Sequence, residues 1–211
     1  MIREMLDDHT TMNVSRPTIG MLALQGAFRE HSAAISVLDC AGIEVRSVED
    51  LTGIDALIVP GGESTAIRHG LMRAGMYDDL RDRVASGMPI LATCAGLVVL
   101  GHSAPDGAPP VFGLLDVDVS RNGFGRQVHS CEQWVRLADG SRISVPFIRA
   151  PRIERMGSTV EPIAWIDSGE FAGEVVGVRS GAITACTFHP ELTDCRVFHT
   201  ELVDLAVAGC S

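Results

Sequence analysis

The chain has 211 residues, 46% of them hydrophobic but only 5% aromatic, and a formal net charge of −10. A core of Val, Ile, Leu and Ala in one domain suits that composition, and α/β layers fit it better than a β-sandwich. The acidic balance argues against nucleic acid, which needs basic patches, and no run approaches the ~18 apolar residues of a membrane span. Residues 1–17 are polar and acidic with no apolar core of the signal-peptide kind. They read as a disordered tail or as sequence upstream of a start at Met12, with 18–211 as a single domain. The six cysteines form no C-x-x-C pair and no zinc-ligand spacing with the seven histidines. A disulfide framework is not expected, and the reducing cytoplasm is the expected compartment.

In chain order, residues 18–24 form a first strand that ends in Gln25-Gly26-Ala27, and residues 28–40 have helical spacing with Gly42 placed to stop the helix. Residues 43–48 alternate as a half-buried strand, and 55–60 (DALIVP) read as a buried one. Ser64 is placed to cap a helix running to about Ala74, and a second helix covers 77–85. A strand from Ile90 then leads into Thr93-Cys94-Ala95-Gly96 and a helix closed by Gly101. This order predicts an open, mostly parallel sheet with helices on both faces. The second half changes character. After a Pro/Gly loop at 102–110, short antiparallel strands are predicted at 114–120, 128–137, 146–149, 160–166, 174–179 and 182–188. Ser180-Gly181 reads as a two-residue hairpin turn. A closing helix capped by Thr193 or Asp194 runs to about Ala208.

Cys94 is the organising residue. A cysteine between small residues, after a buried strand and before a helix, has the pattern of a nucleophile on a sharp strand-to-helix turn. The free N–H groups at such a helix start favour an anion and lower a thiol pKa. A buried structural cysteine fits the local residues as well. His189 and Glu191, two apart around Pro190, would share a face on an extended backbone and make a base with its orienting carboxylate. A plain loop histidine is the alternative. Gly61-Gly62-Glu63-Ser64 offers backbone N–H groups for an oxyanion hole, or is a simple βα turn. No phosphate-loop or dinucleotide motif is present. Arg121 in RNGFGRQ and Arg149 in FIRAP can clamp a substrate carboxylate, or are solvated surface arginines.

Together, TCAGL, FHPEL and PGGEST resemble the class I, triad-type glutamine amidotransferases, whose fold is flavodoxin-like. LALQGAFREH, PGGESTAIR, RNGFGRQV, FIRAP and TFHPELT, in that order over about residues 18–208, narrow the resemblance to the glutaminase subunits of pyridoxal 5′-phosphate synthases. The resemblance implies Cys94 as nucleophile, His189 as base and acid, and Glu191 as its orienter. It implies glutamine contacts from Gly62, Glu63, Ser64, Arg121, Ile148 and Arg149. The N–H of Ala95 follows from the elbow as one oxyanion-hole donor, and the turn at Gly62 supplies the other. It further implies L-glutamine as substrate, no metal or organic cofactor, and a (β/α)₈-barrel synthase subunit that receives ammonia within a hetero-oligomer. Gln25, in the loop expected beside Gly61-Gly62, is the residue through which that partner would act. A γ-glutamyl peptidase on the same scaffold, or a non-catalytic regulatory subunit, are the alternatives. This chain departs from the pattern at His129 and Cys131, where the family has Asp and Phe.

Overall fold

Runs in which every residue is apolar can be buried on both faces only inside a covered sheet, and this chain uses them that way. A computed structural model describes residues 16–102, 112–121, 123–124 and 130–209. The first half alternates β1 (Thr18–Leu22), α1 (Phe28–Ile35), β2 (Ala41–Val45), α2 (Val48–Thr52), β3 (Ala56–Val59), α3 (Ser64–Arg73), α4 (Tyr77–Ala85), β4 (Ile90–Thr93) and α5 (Ala95–Leu100). The second half continues with β5 (Val117–Ser120), β6 (Ser130–Leu137), β7 (Arg142–Ile148), β8 (Arg152–Met156), β9 (Glu161–Ile166), β10 (Val175–Ser180), β11 (Ile183–Cys186) and α6 (Val197–Gly209).

Nine strands form one sheet in the order β2-β1-β3-β4-β11-β10-β9-β6-β7. The first five are parallel, and their order is the doubly wound 2-1-3-4-5. The last four join antiparallel, as the turn-rich second half implied. Strands β5 and β8 pair separately. Alternation along β3 divides the core: Leu57 and Val59 face α2 to α5, while Ala56 and Ile58 face α1 and α6. Each large side chain fully removed from water there stabilises the fold by about 1.5–3 kcal/mol. Among the described residues no helix is long and apolar enough to cross a membrane.

Several elements differ from the sequence reading. Helix α1 ends at Ile35, and Gly42 lies inside β2. A Cβ on Gly42 would sit 3.2 Å from Ile35 Cγ2 and 3.3 Å from Met21 Cε, so this glycine lets α1 lie close over the sheet. The strand predicted at 43–48 is β2, which begins earlier at Ala41 and stops at Val45, because Ser47 and Asp50 form a reciprocal capping box that starts α2. Strand β7 begins at Arg142 rather than 146, and β8 was not anticipated. Pro146 is tolerated because β7 is the outer strand of the sheet. Ser180 pairs with Ile183, so the hairpin turn is Gly181-Ala182, with φ +56° at Gly181. The closing helix starts only at Val197, after a 3-10 turn at Pro190–Leu192. The tail, the loop after His102 and the start of the strand predicted at 128 lie largely outside the described residues.

Helices α1 and α6 bring two fully buried histidines together, with His31 Nδ1 2.9 Å from His199 Nε2. Burial is the main reason both are held below their ordinary pKa, His31 well below and His199 at about 4. A histidine whose folded pKa is depressed stabilises the neutral protein, and that stability is lost as pH falls below the unfolded value of about 6.5. Between pH 6.5 and 5, unfolding free energy in urea should therefore fall by about 2 kcal/mol from His199 alone. The variant His199→Leu should show a flatter dependence over that window, and an unchanged slope would refute the assignment.

Candidate active site

The parallel strands deliver their following loops to one edge, which is where ligands bind in open α/β sheets. Cys94 follows β4 directly and has φ 47° and ψ −105°, a strained backbone for a residue with a Cβ. Its N–H donates to Cys186 O at 2.8 Å, which ties the turn to the neighbouring strand. Gly96 makes the turn possible: a Cβ there would lie 2.1 Å from Val59 O. Cys94 is thus the N-cap of α5, whose six residues are all buried.

His189 and Glu191 come from the end of β11. The extended backbone expected between them is replaced by the 3-10 turn, with Pro190 in its first position. The pairing survives: His189 Nδ1 lies 2.7 Å from Glu191 Oε1. Cys94 adjoins His189 closely enough to act on its charge. Burial by itself would lower the His189 pKa, but the contacts with Cys94 and Glu191 and their charges outweigh it, raising it to about 10. The imidazolium is therefore the favoured form at neutral pH. Gly61 packs against both partners, since a Cβ there would fall 2.4 Å from His189 Cε1 and 3.3 Å from Cys94 Cβ.

In front of Cys94 lies a cleft of about 590 Å³. It is lined by Gly62, Glu63, Ser64, Cys94, Ala95, Val98, Arg121, Ile148, Arg149, Pro151 and His189. Every glutamine-contact position expected from the sequence is among them, and so are both residues assigned to the oxyanion hole. Glu191 stands behind His189, outside the cleft. Ser64 does not cap α3; Glu63 does, accepting from Thr65 N at 3.1 Å and Ala66 N at 2.7 Å. Ser64 Oγ is buried with no hydrogen-bond partner among the described residues. Glu63 also binds Arg121 at 2.6 Å. Burial raises its pKa, but the two backbone donors and Arg121 outweigh that and hold it below the usual carboxylate range. Arg149 has φ 47°, and the preceding Ile148 carbonyl lies 3.8 Å from Cys94 Sγ.

The antiparallel half of the sheet curls back to place these two residues. Although β7 is four places from β11, His189 N donates to Pro146 O at 3.1 Å, and Phe147 packs on Phe188 with ring centroids 5.6 Å apart. Gln25 does not line the cleft. It sits behind Gly62, with Oε1 accepting from Glu63 N at 2.7 Å, while Ala27 N donates to Gly61 O at 2.9 Å. A trans peptide points its N–H opposite to its carbonyl, so the Gly62 N–H is turned away from the Gln25 loop. His129 lies outside the described residues; Cys131 is half-buried on β6 opposite Phe147. The sequence reading missed Val98 and Pro151 as lining residues, and Gly61 as the contact behind His189 and Cys94.

Comparison with known proteins agrees with this arrangement. The model of the SNO glutamine amidotransferase family matches residues 21–207. The pyridoxal 5′-phosphate synthase subunit PdxT of Acidothermus cellulolyticus is 43% identical over 202 residues, covering 94% of this chain and 98% of its own. The subunit of the same name from Kineococcus radiotolerans is 44% identical over 207 residues, covering 94% of this chain and 100% of its own. A crystal structure of a glutamine amidotransferase, 40% identical, superposes with a TM-score of 0.82 over 89% of this chain and 98% of that one. A cysteine elbow, its histidine and a match that runs almost end to end lead to one conclusion: this chain belongs to the SNO glutamine amidotransferase family.

Proposed function

We propose that this chain is the glutaminase subunit of a pyridoxal 5′-phosphate synthase, hydrolysing L-glutamine to L-glutamate and ammonia. The observation that carries the reading is the placement of Cys94 and His189 together in a cleft rimmed by paired charges, with Glu191 held against His189 from behind. His189 holds a proton next to the Cys94 sulfur, and the thiolate attacks the side-chain amide carbon of glutamine. The oxygen that becomes negative is met by the N–H groups of Ala95 and Gly62. His189 then gives its proton to the departing nitrogen, ammonia leaves, and a γ-glutamyl thioester remains on Cys94. Water, deprotonated by His189, attacks the thioester and releases glutamate. Glu191 keeps the imidazole in the required orientation throughout. Glu63 offers a charge for the substrate's α-ammonium group, Arg121 and Arg149 for its α-carboxylate, and the Ser64 hydroxyl and Ile148 backbone complete the contacts. No step requires a metal or an organic cofactor. The names of the PdxT relatives support delivery of ammonia to a partner synthase subunit, which we take to be a (β/α)₈ barrel in a cytoplasmic hetero-oligomer.

Cys94→Ala removes one sulfur from a strained turn, so stability should hold or rise slightly. Ammonia release from glutamine should fall at least about a thousandfold, the scale of losing a triad nucleophile. A glutamine-like electrophile should label Cys94 in the wild-type chain well before the other cysteines. Retention of a tenth of the activity by Cys94→Ala would assign the nucleophile elsewhere.

The isolated chain should also be a poor glutaminase that its partner switches on. Gln25 and Ala27 grip the turn on both sides of Gly62, so pressure on their loop sets how the Gly61-Gly62 peptide faces the cleft. One oxyanion-hole donor is worth about 10² to 10³ in kcat. Saturating synthase subunit should raise kcat by that order, and Gln25→Ala should shrink the effect. Full activity of the chain alone, unchanged by partner, would refute this switch and leave the triad standing.

A further inference from the structure

Behind the triad lies a buried polar network that the reaction scheme does not use. His31 on α1, Thr93 at the end of β4 and His199 on α6 are all fully buried. Glu191 spends Oε1 on His189, and its buried Oε2 has no hydrogen-bond partner meeting ordinary geometry among the described residues. His31 Nε2 lies 3.5 Å from it. The same nitrogen lies 3.1 Å from Thr93 Oγ1, and Thr93 Oγ1 accepts the Gly61 N–H at 3.0 Å. On its far side His31 Nδ1 meets His199 Nε2 at 2.9 Å, and His199 Nδ1 has no partner among the described residues.

These distances choose the tautomers. Were the His31 proton on Nδ1, the Nε2 lone pair would face a carboxylate oxygen at 3.5 Å, which is repulsive. With the proton on Nε2, it points into the corner between Thr93 Oγ1 and Glu191 Oε2, and Nδ1 accepts from His199 Nε2–H. His199 Nδ1 is then a bare lone pair, which costs less to bury alone than an N–H would. In this arrangement each of the three close contacts, His199 to His31, His31 to Thr93 and Gly61 to Thr93, joins one donor to one acceptor, and the Nε2–H faces the Glu191 carboxylate.

We infer that His31, acting with Thr93, is a positioning residue that couples the triad carboxylate to the Gly61-Gly62 turn. One N–H steadies Glu191, and the hydroxyl it meets holds the peptide leading into the turn. The general base and the oxyanion-hole segment thus share one anchor, reached from a helix that contributes nothing to the cleft wall. The inference rests on the glutaminase reading above. Because none of His31, Thr93 or His199 lines the cleft, loss of the anchor should slow the chemical step and leave substrate binding alone.

The test uses the full chain saturated with its cognate synthase subunit. Thr93→Val, close in shape, and His31→Leu should each lower kcat for glutamine by about 10- to 100-fold, the scale of a buried polar group left without its partner. KM should stay within about twofold, and Cys94 alkylation by iodoacetamide, which needs no turnover, should slow in parallel. Thr93→Ser and His31→Gln, which restore a hydroxyl and an N–H donor, should recover most of the rate. Circular dichroism and the thermal midpoint show which variants fold, and Thr93→Val carries the test if His31→Leu does not. A kcat within twofold of wild type in folded Thr93→Val, a loss confined to KM, or no rescue by the conservative variants would overturn the inference. Absence of ammonia release from glutamine by the wild-type complex in the same assay would instead overturn the glutaminase reading.

Discussion

The backbone at Cys94 is the constraint on which the rest of the site depends. A φ of 47° with a ψ of −105° costs about 1–3 kcal/mol and persists only where the surroundings leave no alternative. Here they leave none. The turn's N–H is held by Cys186 O, the next strand along, and Gly96 lies so close to Val59 that no side chain fits between. The helix that follows is buried at every residue, so it cannot shift to relieve the turn. Strain in the Cys94 backbone is thereby balanced by core burial on both sides, and the sulfur is presented to the cleft rather than to the core.

The charges are arranged on the same economy of parts. His189 is buried enough that a charge on it would be unfavourable alone, yet Cys94 and Glu191 flank it closely enough to reverse the sign. At the rim Glu63 closes the start of α3 and holds Arg121, joining the two halves of the chain through one carboxylate. Behind His189 and Glu191 the polar groups are neutral, and burial keeps His31 and His199 so. A charged histidine in that position would compete with His189 for Glu191. The site therefore places its charge in front of the carboxylate and its uncharged hydrogen bonds behind it.

Much of this was legible in the residues. Apolar runs bounded by Gly and Pro marked the parallel strands, because burial on both faces removes the polar alternation that other strands carry. The elbow was legible because small residues crowd around a single cysteine, and the His189–Glu191 pair because the two are only two residues apart. Even there the physical route differed: a 3-10 turn, not an extended backbone, brings Oε1 to Nδ1. Ser64 looked like the cap of α3 because serine is a common one, but the longer Glu63 reaches two N–H groups from one position earlier. Helix α2 and strand β8 escaped because a five-residue helix and a five-residue strand with no fully buried residue carry too little periodicity to distinguish from a loop.

By itself, then, the sequence determined which segments become strands and helices, where the chain turns sharply, and which side chains could do chemistry. Those are local properties, set by side-chain period, capping and the permissiveness of glycine. Only the tertiary structure decided which strand ends meet. The curl that returns β7 to β11, the loop of Gln25 closing behind Gly62, and the contact of His31 with His199 across 168 residues depend on strand order and helix packing. No hydrophobic period encodes those distances, because a buried polar side chain in a helix looks the same in sequence whatever it faces.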